Sequence, residues 1–464
     1  MTKDEIDKIA SQITAKLTSG SAAGSGGTWI FDTVDEAVAQ AQKAQLLLGK
    51  STLEERGKFI EAMRQAARDN SVLLAEMAHN ETGYGHVEHK VLKNLLAANK
   101  TPGIEDLRTE AWSGDYGLTL VEMAPFGVIG SITPSTNPPS TIINNSISMI
   151  AAGNAVVFNP HPAAKKVSQE AMRILNKAIV SVGGPDSLIT TVYEPTLETG
   201  TALMNHKDIP LLSITGGEPV VKAAMKTGKK VIAAGPGNPP VIVDDTAILE
   251  KAAKDIVDGA SFDNNVLCVA EKEVFAFANI ADALVMEMVR NGAFLARGED
   301  INKILALTLI KKGEKYVINR NYVGRDAAVI LRDAGVSFNE KPRLIIAEVD
   351  PYHPFIMTEM LMPVLGIARV KDIDDAVAHA FRAEQGCQHS ALIHSTNIKN
   401  MSYAAHALNT TIFVKNAPSY AGLGFNGEGY ATLTIATPTG EGLTAAHSFT
   451  RRRRCVLYGD FRIV

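Results

Sequence analysis

Three cysteines stand in the 464-residue sequence, Cys268, Cys387 and Cys455, and the first has a setting that suits a reaction. It closes the run Gly259-Ala260-Ser261-Phe262-Asp263-Asn264-Asn265-Val266-Leu267-Cys268. Asp and two Asn ahead of an apolar pair predict a loop and not a core helix. A thiol presented there is a nucleophile if its pKa is lowered; the alternative is a buried structural cysteine, the commoner fate. Cys387 and Cys455 lack that context and read as structural. A second candidate lies in Thr133-Pro134-Ser135-Thr136-Asn137-Pro138-Pro139. Prolines on both sides of Ser-Thr-Asn fix the turn. The Asn137 amide then either donates to a developing oxyanion or satisfies its own turn.

Glycine marks two more places. Ser213-Ile214-Thr215-Gly216-Gly217 sits between a strand and a helix, where backbone N–H groups can hold a pyrophosphate; a plain turn is the alternative. Gly422-Leu423-Gly424-Phe425-Asn426-Gly427 matches GxGxxG, but the sequel Glu428–Ile435 reads as a strand where a dinucleotide fingerprint demands a helix. A loop lining a pocket is the better reading, since glycine lets backbone approach a ligand. His86 and His89, with Glu88 between them, are too few for a closed metal site. His389 and His394 flank the start of a strand, and either is a candidate base. In a strand the run Arg451–Arg454 alternates faces, which suits salt bridges or a subunit contact.

These residues need a scaffold. Strand patterns at Val128–Ile132, Ala155–Asn159, Leu188–Val192, Leu211–Ile214, Val231–Ala234 and Val241–Val243 alternate with helical patterns at Thr141–Ile150, Val167–Val182 and Glu218–Lys226. A second block, from about 248 to 435, carries strand patterns at Glu273–Phe277, Arg343–Ala347, Val364–Val370, Ala391–His394 and Thr411–Val414. Such alternation predicts an α/β fold of βαβ units around parallel sheets. Ahead of it, Val34–Leu48 and Leu53–Met77 read as long amphipathic helices. Ile6, Ile9, Ile13 and Leu17 share one face of a further helix at 2–18, tethered by the Gly/Ser-rich linker 19–27. The chain ends in a strand candidate, Cys455–Tyr458.

Composition narrows the partners. Lys and Arg number 46 and Asp and Glu 50, a net charge of -4, which argues against a generally basic nucleic-acid binder. No apolar run is long enough to span a membrane, and the opening Met-Thr-Lys-Asp-Glu lacks the apolar stretch of a secretory signal. Three widely spaced cysteines fit a reducing, cytoplasmic compartment.

Taken together, the segments resemble the aldehyde dehydrogenase superfamily, and within it the CoA-acylating aldehyde dehydrogenases of bacterial microcompartments. The likeness runs from about Phe31 to Val464. Its carriers are Asn80–Gly83, Thr133–Pro138 with Ile142–Asn145, Ala151–Asn154, His161–Lys166, Gly235–Pro240, Phe262–Cys268, Phe413–Asn416 and Thr437–Gly442. The resemblance implies that Cys268 is the nucleophile, that Asn137 and the Cys268 N–H hold the oxyanion, and that a thioester forms on Cys268. It implies a nicotinamide cofactor, expected to be NAD. Thr215, Gly216 and Gly217 match the turn on the pyrophosphate side, and Glu359, followed by Pro363, matches the acid used on the nicotinamide ribose. Thr133, Pro134, Ser135, Asn159, His161, Ala234 and Gly235 complete the cofactor set. Asn159 and Pro162 stand where Lys and Glu are usual near the adenosine ribose.

The acyl acceptor follows from one departure. Hydrolytic members carry Glu at the position that here is Ala234, and without it water loses its general base. Coenzyme A is then the expected acceptor, with His389 positioning or deprotonating it; Ser390 replaces the usual threonine. Thr136, Leu267, Gly422 and Gly424 are expected around the acyl or CoA pocket. The implied reaction converts propionaldehyde, or alternatively acetaldehyde, to its CoA thioester; release of free acid is the rival. The implied architecture is a Rossmann-like cofactor domain at 28–254 with an arm near 113–124, an α/β catalytic domain at 255–433, and a segment 434–464 completing an arm used for homo-oligomers. The helix at 2–18 resembles an encapsulation peptide that would dock on a shell protein and place the enzyme in a microcompartment lumen. No metal is expected.

Overall fold

Parallel strands must be covered on both faces, and this chain covers two such sheets. The computed structural model describes residues 29–464; the helix read at 2–18 and the linker at 19–27 lie outside the described residues. The first sheet has six parallel strands in the order Ile30–Phe31, Ile189–Val192, Ala155–Pro160, Val128–Thr133, Leu211–Thr215, Lys230–Ala234. From Val128–Thr133 the chain builds outward in one direction, then returns to add strands on the other side. The gap between Val128–Thr133 and Leu211–Thr215 is therefore a topological switch point, where open α/β sheets bind ligands at their carboxyl ends.

The helix Pro138–Ala151 starts with Pro at its first turn and is buried along its whole length, so its polar residues need internal partners. Asn144 donates to Thr101 Oγ1 at 2.8 Å and accepts from the Leu433 N–H at 3.0 Å. Asn145 accepts from Thr434 Oγ1 at 3.0 Å. Glu81 accepts from the N–H groups of Lys166 and Val167, both at 2.8 Å, and so caps the helix Lys165–Ser181.

The second sheet has seven parallel strands: Ala293–Ala296, Leu344–Glu348, Val364–Val370, Glu273–Phe277, Pro240–Val243, Ser390–His394, Ile412–Lys415. The chain crosses between sheets in Gly235–Pro239. The strand Pro240–Val243 and the helix Leu249–Ser261 thus pack with the second sheet, although both begin before the boundary drawn at 254. A third, antiparallel sheet joins Glu110–Gly114 and Gly117–Pro125 to Thr450–Tyr458.

Two readings are corrected. Leu53–Met77 is not one helix; it divides into Leu53–Asp69 and Ser71–Thr82. Asn70 turns its amide back to the Ala66 carbonyl at 2.8 Å, the local competition that ends helices. The run Glu428–Ile435 is not a strand; only Ile435–Ala436 pairs, with Gly442–Leu443, because Asn144 and Asn145 take up the neighbouring backbone and hydroxyl groups.

Candidate active site

Asp263, Asn264 and Asn265 all have positive φ, 48°, 53° and 66°. Three such residues in a row are costly for any side chain, and Asp and Asn tolerate the region best. Side-chain bonds hold each of them. Asp263 accepts from the His86 N–H at 2.8 Å and from Lys90 at 3.0 Å, and pairs with Lys93. Asn264 donates to the Gly324 carbonyl at 3.0 Å and to Asp326 at 2.9 Å. Asn265 donates to the carbonyls of Ala260 and Glu271 at 2.8 and 2.9 Å. Lys272 donates to Asn265 Oδ1 at 2.6 Å and to the Leu267 carbonyl at 2.9 Å. Against the burial that would raise it, Lys93 and Lys90 hold the Asp263 carboxyl at about 2. His86 and His89 brace the same loop: His89 Nδ1 accepts from the Asp263 N–H at 2.9 Å, and burial pushes its pKa down to about 4, as a neutral acceptor requires. Among the described residues no group of three His, Cys, Asp or Glu side chains is placed to hold a metal.

This pinned loop delivers Cys268 to the amino edge of the second sheet. Gly237, Cys268, Glu359 and His389 each precede one of four adjacent strands, Pro240–Val243, Glu273–Phe277, Val364–Val370 and Ser390–His394. A Cβ on Gly237 would lie 2.8 Å from His389 Cγ and 3.1 Å from the Cys268 carbonyl oxygen, so the His389 ring and the Cys268 backbone both pack closely on Gly237. Cys268 keeps part of its surface open. Burial, and after it the charge of Glu359, pushes its thiol up to about 11, with Lys272 pulling the other way. Burial lifts the Glu359 carboxyl to about 7. The space around the thiol therefore does contain a carboxylate, although Ala234 supplies none. His389 is fully buried, and burial pushes it down to about 4. Its Nδ1 meets Ser390 Oγ at 2.9 Å, and its Nε2 has no partner among the described residues. Such a nitrogen is a weak base but a ready hydrogen-bonding group.

The cofactor candidates gather on the carboxyl edge of the first sheet. Thr133–Ser135, Asn159 with His161, Thr215–Gly217 and Ala234–Gly235 follow four adjacent strands around the switch point. Thr133 Oγ1 is buried without a partner among the described residues. A Cβ on Gly216 or Gly217 would meet nothing closer than 3.7 Å, which leaves room for a phosphate at the start of the helix Glu218–Met225. These features fit a dinucleotide. Asn159 spends its amide on the Thr196 carbonyl at 3.2 Å and Thr199 Oγ1 at 2.7 Å. His161 Nδ1 accepts from the Ala163 N–H at 3.1 Å. Pro363 is buried, and its carbonyl accepts from the Ile345 N–H at 2.9 Å. Asn159 and His161 brace this edge through those bonds; Pro363 precedes Val364–Val370 and so stands on the amino edge of the second sheet. The run Gly235–Pro239 joins the two edges, which lie at most about 20 Å apart along the stretched chain.

Beside Leu267 a narrow pocket is walled by Leu92, Lys93, Leu96, Phe262, Tyr420, Leu423, Phe425 and Leu433. The glycine-rich loop lines it, but through Leu423 and Phe425. Gly422 is fixed against Ile412, where a Cβ would come within 2.5 Å of Cγ2, and Gly424 makes the turn at φ +82°. Lys100 ties this loop down by donating to the carbonyls of Gly424 and Gly427 at 2.6 and 2.7 Å. Thr136 is half-buried and accepts from Asn137 Nδ2 at 3.3 Å. Sequence reasoning missed Lys93, Phe262 and Tyr420; their aromatic and basic types carried no spacing signal.

A partly open thiol ahead of a parallel sheet, joined by a glycine-containing crossing to a switch-point sheet, is an arrangement that suits a dehydrogenase of the aldehyde type. The aldehyde dehydrogenase family matches residues 31–430, and the chain belongs to it. It is 47% identical over 470 residues to EutE of Salmonella typhimurium, an acetylating acetaldehyde dehydrogenase, with 100% of both chains covered. It is similar to a solved propionaldehyde dehydrogenase from the fucose utilisation microcompartment of Clostridium phytofermentans: 50% identity, TM-score 0.92, 94% of this chain and 99% of that one. It is also similar to a propionaldehyde dehydrogenase of Rhodopseudomonas palustris, solved with bound CoA and an acylated cysteine: 47% identity, TM-score 0.91, 93% and 99% covered.

Proposed function

We propose that this protein is a CoA-acylating aldehyde dehydrogenase that oxidises propionaldehyde, with NAD and CoA, to propionyl-CoA and NADH. The observation that carries the reading is Cys268, partly open ahead of the second sheet, with its carbonyl oxygen and the His389 ring both close to Gly237, in a chain with alanine at 234. Cys268 adds to the aldehyde carbon, and Asn137 and the Cys268 N–H steady the oxygen. Thr133–Ser135 and Thr215–Gly217 would hold the dinucleotide, which would supply the hydride acceptor when bound. The acyl group is left on Cys268 as a thioester, which the thiol of CoA takes over. His389, with a free ring nitrogen and too low a pKa to store a proton, orients that thiol. The relative carrying both CoA and an acylated cysteine supports this order.

Glu359 favours a second reading, since a carboxylate near the thiol can activate water. NADH or NADPH formation from C2 to C4 aldehydes, with and without CoA and with NAD or NADP, tests both. Strict CoA dependence supports the first; equal rates without CoA would establish free-acid release. Faster turnover of acetaldehyde than of propionaldehyde would reassign the substrate. We further propose that residues 2–18 dock on a shell protein inside a microcompartment, and that the exposed arm sheet, with Trp112, Val456 and Tyr458, joins copies of the chain. Removing residues 1–20 abolishes shell association and leaves activity intact; a loss of activity would contradict docking. Among the described residues no helix is long and apolar enough to cross a membrane.

A further inference from the structure

Two lysines are sunk into the protein one helical turn apart. Lys90 and Lys93, on the helix Val87–Lys100, are 3% and 4% exposed, and both meet the Asp263 carboxylate. One carboxylate balances one of them. Lys93 has a further acceptor, Asn137 Oδ1, at 2.6 Å. An ammonium only donates, so the atom it meets is the amide oxygen, and the NH2 half of Asn137 must face away. Asn137 opens the helix Pro138–Ala151 without a side-chain cap bond. Its Nδ2 reaches Thr136 Oγ1 at 3.3 Å, long for a hydrogen bond. The amide is thus gripped at its oxygen and nearly free at its nitrogen.

We propose that Lys93 is a positioning residue for the oxidation step. It sets the Asn137 amide in the one orientation that offers N–H, and not a lone pair, to the oxygen of the aldehyde as Cys268 adds. Asp263 holds Lys93 in place and also opens the loop that presents Cys268, so the nucleophile and the donor are both referenced to one carboxylate. This inference rests on the reading of Asn137 as oxyanion donor.

A double-mutant cycle on the full-length enzyme, with propionaldehyde, NAD and CoA, tests it. Asn137→Ala should lower kcat by about 10²- to 10³-fold; an unchanged kcat would sink the reading of Asn137 itself. Lys93→Met keeps the length of the side chain and leaves Lys90 and Asp263 as a balanced pair. It should lower kcat by roughly tenfold or more while the KM values for CoA and NAD stay within about twofold. The combined variant should be no slower than Asn137→Ala alone, since no donor remains to be oriented. With Asn137→Ala slow, either an unaffected Lys93→Met or a combined loss equal to the product of the single losses would overturn the role of Lys93. Should Lys93→Met melt at the assay temperature, Lys93→Arg, which also only donates, replaces it: a kcat within about threefold of the parent supports the role, and a loss as large as that of Asn137→Ala overturns it.

Discussion

Removing the charge of Glu359 should make Cys268 easier to ionise. Burial, and after it Glu359, lifts the thiol from 9.0 to about 11. A rise of that size cuts the thiolate present at pH 8 roughly a hundredfold. Glu359, with its carboxyl at about 7, is largely charged at that pH. The substitution Glu359→Gln keeps the shape and deletes the charge. The midpoint for alkylation of Cys268 should then move down by about one pH unit, and the rate at pH 8 should rise up to about tenfold. The sign is fixed: a negative neighbour opposes a second negative charge, so its loss lowers the pKa of the thiol. The assay is pulsed iodoacetamide labelling between pH 7 and 12, read on the Cys268 peptide by mass spectrometry so that Cys387 and exposed Cys455 do not contribute, with Cys268→Ala as blank. An unshifted midpoint would show that the thiol does not feel Glu359, and the account of the site's electrostatics would fall with it.

Glu273 lies fully buried, both its carboxylate oxygens without a partner among the described residues, and burial holds its pKa well above 4.5. A carboxyl raised on folding makes the folded state less stable as pH climbs past its unfolded value. Glu273→Gln should therefore melt with the parent near pH 4 and above it at pH 8, as differential scanning calorimetry can show. Gly237→Ala, which drives a methyl group against His389 and the Cys268 carbonyl, should cut CoA-dependent turnover by roughly tenfold or more, against a stability change of about 1–3 kcal/mol from overpacking; unchanged kcat would dissolve the contact. Phe425→Ala widens the pocket beside Leu267, so the kcat/KM ratio of butyraldehyde to propionaldehyde should rise by about tenfold, on the scale of one methylene.

Much of this site can be read from residue types. The Asp-Asn-Asn run announces a loop, and the reason is physical: three successive positive φ angles need side chains that tolerate them and can be pinned. The strands of the first sheet stand out as unbroken apolar runs because both their faces are covered. What stayed hidden depends on distant partners. Lys90 and Lys93 look like the solvated face of an amphipathic helix; they are buried because a carboxylate 170 or more positions away waits for them. Lys272 is masked in the same way, between two glutamates. The strands Ala293–Ala296, Leu309–Lys312 and Lys315–Ile318 escaped because, unlike the β-branched run Val241–Val243, they mix in Ala, Leu or Lys, residues as much at home in helices. The glycines of the 422–429 loop drew attention, yet they shape the turn and leave the contacts to their neighbours.

The meeting of a carboxyl edge with an amino edge has a consequence for redesign. On the proposed function, the dinucleotide would be held mainly by residues 133–235, with Glu359 reaching its ribose from the second sheet, and the acyl chain would be walled by residues 92–96, 262–267 and 420–433. The two recognitions occupy separate stretches that share only the short crossing at 235–239. On that reading, substitutions that change the choice of coenzyme should leave the choice of aldehyde where it was set, and the reverse.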